Sequence, residues 1–136
     1  MEAGAGSHPC NVTPEYTARA RKQMGPEAWL CVEQKVVLAD SPSQAREIAR
    51  AGLSIYIDVP HQQRNWSRMG FTDADYRDGG SDRLIDALVA WGDEKTIRDR
   101  IDAHFRAGAT HVCLQPLLTA GGRVPGDELL ESLAPR

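Results

Sequence analysis

Polar residues set inside otherwise apolar stretches are the places where this sequence could do chemistry. His8, in "GSHPC", closes a short apolar run near the N-terminus. Its imidazole either lines a site at the exit of a strand or is hydrogen-bonded to backbone beside Pro9. His8 and Cys10 together offer one nitrogen and one sulfur, which falls short of a four-coordinate metal site, so no metal is expected. Glu33, Gln34 and Lys35 interrupt a second apolar run. In a regular strand Glu33 and Lys35 share one face and Gln34 takes the other. Buried charges need partners, so an ion pair with a neighbouring strand is the plain reading, and a polar group turned toward a cofactor or substrate is the alternative. Gln115, late in the last apolar run, either hydrogen-bonds a ring edge or caps a layer of packed side chains.

Two further clusters carry charge. Arg64, Trp66 and Arg68 fall in the polar stretch 61–82 and could contact an anionic substrate; a solvated helix with one anchoring tryptophan is the alternative. Gly121, Gly122 and Arg123 follow the last apolar run, where backbone N–H groups and a cation could cradle a phosphate, or where a glycine turn simply leads into the tail. "GGSD" at 79–82 resembles such a cradle, but Asp82 would repel an anion and reads as a helix cap. His104 lies on the apolar face of a helix and His111 opens a strand, so neither is expected to do chemistry. No Ser-His-Asp order, Walker loop or close carboxylate pair supports hydrolysis or phosphoryl transfer.

The elements that must position these residues follow from local signals. Thr13 caps and Pro14 opens a helix that Gly25-Pro26 stops. Residues 29–40 read as a strand through "VVL". Ser41 and Pro42 open an amphipathic helix carrying Ala45, Ile48, Ala49 and Leu53, weakened by Gly52 and ended by Pro60. Residues 61–82 form an irregular or helical excursion, the kind of insertion that serves as a lid. Leu84, Leu88 and Trp91 suit a helix, with "LVAWG" a strand alternative. Asp93 caps a helix with Ile97, Ile101, His104 and Phe105 on one face, Gly108 ends it, and "HVCLQPL" reads as a strand of a parallel sheet. The loop "TAGGRVPG" and a short helix "DELLESLA" complete residues 119–136.

The chain has 136 residues, 41% of them hydrophobic and 26% charged, enough for one domain core. A net charge of -3, with basic residues scattered among acids, argues against nucleic acid or an anionic membrane as partner. No run reaches the roughly 20 apolar residues a membrane span needs, and "MEAGAGS" lacks the basic and apolar regions of a signal peptide. Three cysteines without CxxC spacing, each in an apolar stretch, read as buried thiols in a reducing, cytoplasmic setting.

The alternation of strands and helices predicts parallel pairing, and a closed sheet would remove the exposed edges. The strings "GSHPCNVTPEYT", "EQKVVL", "GFTDADYRDGGSDRLIDALVAWGDE" and "AGATHVCLQ" resemble the C-terminal half of luciferase-like monooxygenases, nearest to the branch using the deazaflavin coenzyme F-420. The resemblance runs from Gly6 to about Leu118. It implies about half of a (β/α)8 barrel over residues 1–118, with parallel strands, helices and a lid at 61–82. It also implies an oxidoreductase acting on a small-molecule substrate with F-420, or alternatively FMN, across the C-terminal mouth of the strands. His8, Gln34, Gln115 and Gly121–Arg123 would then be cofactor contacts, and Arg64, Trp66 and Arg68 lid contacts to substrate. Catalytic groups are not identified, because the family's catalytic histidine and phosphate turn belong to strands before the matching segment. Ser7 and Cys10 depart from the alanine and tyrosine common there. A second reading is a non-catalytic half-barrel that buries its sheet edges in a homodimer or against a partner half.

Overall fold

The computed structural model describes residues 6–118 and 127–135. The first helix, α1 (Pro14–Met24), begins where the Thr13 hydroxyl accepts the Tyr16 amide and Pro14 occupies a position whose N–H would lack a partner. Tyr16, Ala20 and Met24, one turn apart, pack on Val12, Leu30 and Val32. Strand β1 (Cys31–Leu38) follows. Helix α2 (Pro42–Ile57) is capped by the Ser41 hydroxyl and buries Ala45, Ala49, Leu53 and Ile57 as one stripe. Gly52 sits inside it because a Cβ there would stand 2.8 Å from both Leu117 methyl carbons. Close approach of Leu117 is what justifies a residue that costs about 1 kcal/mol in a helix interior.

The stretch 61–82 is largely helical and sets three aromatic side chains into the core. Helix α3 (Pro60–Arg68) and a 3₁₀ segment (Asp73–Gly79) lead into α4 (Asp82–Leu88), and Trp66, Phe71 and Tyr76 are buried with Leu53, Leu84 and Ile85. Embedded aromatics in a polar stretch are anchors here, since burying a large ring contributes more than any exposed contact could. Helix α4 ends at Leu88 and runs straight into β2 (Val89–Gly92), so "LVAWG" supplies both a helix end and a strand. The Asp93 carboxylate accepts the Thr96 amide at 2.8 Å to start α5 (Glu94–Arg106); β3 (His111–Pro116) and α6 (Asp127–Leu133) follow.

The three strands are parallel in the order β2-β1-β3. The register pairs Lys35 with Val89 and Leu38 with Gly92 on one side of β1, and Cys31 with His111 and Lys35 with Gln115 on the other. In a (β/α)8 barrel each strand lies beside the next, so a barrel segment would set β2 against β3; here β1 separates them. Residues 7–9, expected as a full strand, form only one bridge, Ser7 to Leu30, with the Cys31 and Glu33 amides donating to Ser7 and Pro9. That short run occupies the edge of β1 that β2 takes further along.

Helices cover both faces. Val37 and Val89 lie among residues of α2, α3 and α4, whereas Val36 and Ala90 pack with Ile97 of α5 and Leu133 of α6, and Val32 lies beside α1. The chain crosses from β1 to β2 over one face by α2, and from β2 to β3 over the other by α5. Reversing direction and face together keeps both crossovers the same hand, as parallel connections require. The described residues thus form an open α/β sheet rather than a full barrel. Among them, no helix is long and apolar enough to cross a membrane.

Candidate functional site

The two faces of β1 divide its polar residues, as strand alternation dictates. Gln34 enters the sealed face and is 1% exposed. Its amide nitrogen donates to the Leu88 carbonyl at 3.0 Å and the Lys35 carbonyl at 2.8 Å, and its oxygen lies 2.9 Å from His104 Nε2. The other ring nitrogen, Nδ1, is 2.9 Å from the Thr17 hydroxyl. An amide oxygen only accepts, so Nε2 carries the proton and Nδ1 accepts from Thr17. This neutral imidazole matches its titration: burial, followed by the nearby Arg100 guanidinium, lowers the His104 pKa to about 4. Every polar atom of this chain of groups is spent internally. Gln34, expected to face a cofactor, therefore cannot do so without breaking the core.

The opposite face is closed over its C-terminal half and open over the rest. Lys35 is 2% exposed, with Nζ 2.9 Å from Glu33 Oε1 and 5.1 Å from the ring centre of Tyr56 on α2. An ion pair is present, but it forms within β1, between Glu33 and Lys35, where one with a neighbouring strand is the expectation. Nearer the strand start the face is uncovered. His8 Nε2 stands 3.9 Å from Glu33 Oε2, and Cys31 Sγ stands 3.4 Å from Cys113 Sγ. The donor atoms of His8, Cys31 and Cys113 all lie within 4.8 Å of one another. Burial, then the hydrogen bond and charge of Cys113, push the Cys31 thiol up from its ordinary value. Trp29, 63% exposed, stacks on His111 with ring centres 4.7 Å apart. Beyond Cys113 on the same face, Gln115 is exposed, level with Lys35.

Several expectations change against this geometry. His8 does not sit at the carboxyl ends of the strands; it lies level with the beginning of β1, because residues 7–9 pair with residues 29–33. The cysteines are not buried: Cys113 is exposed, Cys10 and Cys31 are half-buried, and all three are free. Trp66 is fully buried and donates its indole N–H to the Asn11 carbonyl at 3.0 Å, so it holds α3 down rather than meeting a substrate. Arg64 and Arg68 are exposed on α3 and line a shallow concavity with Gln63, Ser67, Asp73 and Tyr76. Gly121, Gly122 and Arg123 lie outside the described residues.

Sequence reasoning missed two groupings. Asp75 is buried under Arg83, Ser81 and the Thr72 amide, and the Arg83 guanidinium holds its carboxyl well below the usual range. The spacing of Thr72 and Asp75 is that of a capping box and carried the signal. The meeting of Cys31 with Cys113 had no local signal, since it depends on which strands pair.

A solved structure of an F420-dependent secondary alcohol dehydrogenase, in complex with an F420-acetone adduct, is similar to this chain. The TM-score is 0.56 at 14% identity, covering 83% of this chain and 37% of the other. The likeness is one of fold. The chain spans little more than a third of that enzyme's length. No family model matches the chain, and no curated protein matches it.

Proposed function

We propose that this chain is part of an oxidoreductase that uses a deazaflavin, the F-420 coenzyme, in hydride exchange with a small-molecule substrate. The observation that carries the proposal is the fold likeness to an F420-dependent alcohol dehydrogenase. Within the chain, the carboxyl end of the β1–β3 pair is the place for the ring. In open α/β sheets ligands bind outside the carboxyl ends of strands, where the chain order reverses, and here that point lies between β1 and β3. Gln115 stands exposed beside it, and no hydrogen bond of its side chain is present among the described residues. Its amide can donate to or accept from a ring edge. Gly121, Gly122 and Arg123, later in the sequence, are proposed for the phosphate-bearing tail, and Arg64 and Arg68 for an anionic substrate. The cofactor, when bound, would supply the hydride chemistry, and Gln115 would help to orient its ring.

The test is fluorescence polarisation of the deazaflavin titrated with the chain, with FMN in parallel. Saturable deazaflavin binding, weakened about tenfold by Gln115→Ala through loss of one hydrogen bond, is expected. Binding of FMN alone would reassign the cofactor, and binding of neither would overturn the proposal.

A second reading is favoured by β3, which among the described residues forms a sheet edge beside exposed Trp29 and Leu118. An unpaired edge recruits another strand, so the chain would dimerise or dock to a partner half through β3. Light scattering that finds only monomer at high concentration would exclude the homodimer.

A further inference from the structure

We propose that His8, Cys31 and Cys113 form a site for a thiophilic divalent cation, zinc being the one their chemistry fits best, on the open face of the β1–β3 pair. One imidazole nitrogen and two sulfurs form a three-ligand set that leaves a fourth tetrahedral position to water. Their donor atoms already lie within 4.8 Å of one another. Two thiolates at about 2.3 Å from one tetrahedral zinc stand roughly 3.8 Å apart. The observed Cys31–Cys113 sulfur separation of 3.4 Å is close to that edge.

A disulfide fits the same pair poorly. Cys113 is level with Glu33, two residues beyond Cys31. Strand spacing and rise therefore set the two Cα atoms roughly 8 Å apart. Disulfides do not close beyond about 7 Å without backbone movement. A metal between the sulfurs spans that gap with the strands where they are.

Charge points the same way. On binding, the two thiols release their protons and the two thiolates neutralise the dication. Glu33, 3.9 Å from His8 Nε2, is already balanced by Lys35. Both cysteines are carried by paired strands, which fix ligand positions better than loops do. His8 arrives on the run held to β1 by the Cys31 and Glu33 amides. On β3 Cys113 stands two residues before Gln115 on the same face, and the three ligands do not include that proposed cofactor contact.

The test is titration of the reduced, metal-free full chain with Co²⁺ as spectroscopic probe, followed by displacement with Zn²⁺. The expected result is one Co²⁺ per chain, with thiolate-to-cobalt charge-transfer absorption and the visible bands of a tetrahedral ion, both lost on adding Zn²⁺. Cys113→Ser, at an exposed position, should keep the far-UV circular dichroism of the parent. It should weaken binding by more than the about 10- to 100-fold that loss of an outer-shell partner costs. His8→Ala should do likewise, and Cys10→Ser should leave the spectrum unchanged. A cobalt spectrum without thiolate bands, or one that survives Cys113→Ser, overturns the site.

Discussion

Gln34 and Gln115 lie on neighbouring parallel strands, one register step apart, and the sheet treats them in opposite ways. Gln34 turns toward α5 and spends its whole amide on Leu88, Lys35 and His104. Gln115 turns to the other face and stands in solvent. The same division separates His104, neutral and sealed, from His8, exposed beside two thiols. The identity of a polar residue in a strand therefore says little about its task. The parity of its position, and which helix covers that face, decide whether it holds the core or is free for a ligand.

The comparison can be strained from its sealed side first. Trp66→Ala removes a fully buried indole and strands the Asn11 carbonyl, and should lower unfolding stability by about 3–5 kcal/mol in urea denaturation. Gln34→Ala leaves the His104 Nε2–H without an acceptor in a closed space, and should cost about 1–3 kcal/mol for the stranded group. A loss below experimental error would mean that the buried chain of groups is not formed.

The same histidine gives a pH signature. Its pKa falls from an ordinary 6.5 in the unfolded chain to about 4 in the fold. The unfolded chain therefore binds more protons between those values. The contribution of neutral His104 is fully present above about pH 6.5 and is lost as the pH falls toward about 4. Urea midpoints measured across that window should decline, and His104→Gln should flatten the decline. The open side should yield the smallest effect: Gln115→Ala, touching nothing in the core, should change stability by no more than about 0.5 kcal/mol while weakening deazaflavin.

Much of the local structure was legible. Thr13-Pro14, Ser41-Pro42 and Asp93 marked three helix starts that the structure keeps, and the alternation of Glu33, Gln34 and Lys35 correctly put the two charges on one face and the amide on the other. The order of the strands was not legible, because periodicity reports how a segment alternates and not which segment it pairs with. Cys31 and Cys113, 82 positions apart, meet only because β3 crosses to the far side of β1. His8 lies at the start of β1 rather than at a strand exit for a separate reason, the pairing of residues 7–9 with residues 29–33. For Trp66 the structure keeps the reading of one anchoring tryptophan in an otherwise solvated helix, and not the substrate contact.

The most direct test follows the two glutamine side-chain amides by nuclear magnetic resonance while deazaflavin is added to the chain. The account predicts that the Gln115 side-chain amide shifts saturably while the Gln34 side-chain amide and the His104 ring stay in place. Movement of Gln34 and His104 with Gln115 unchanged, or no movement at saturating deazaflavin, would contradict it.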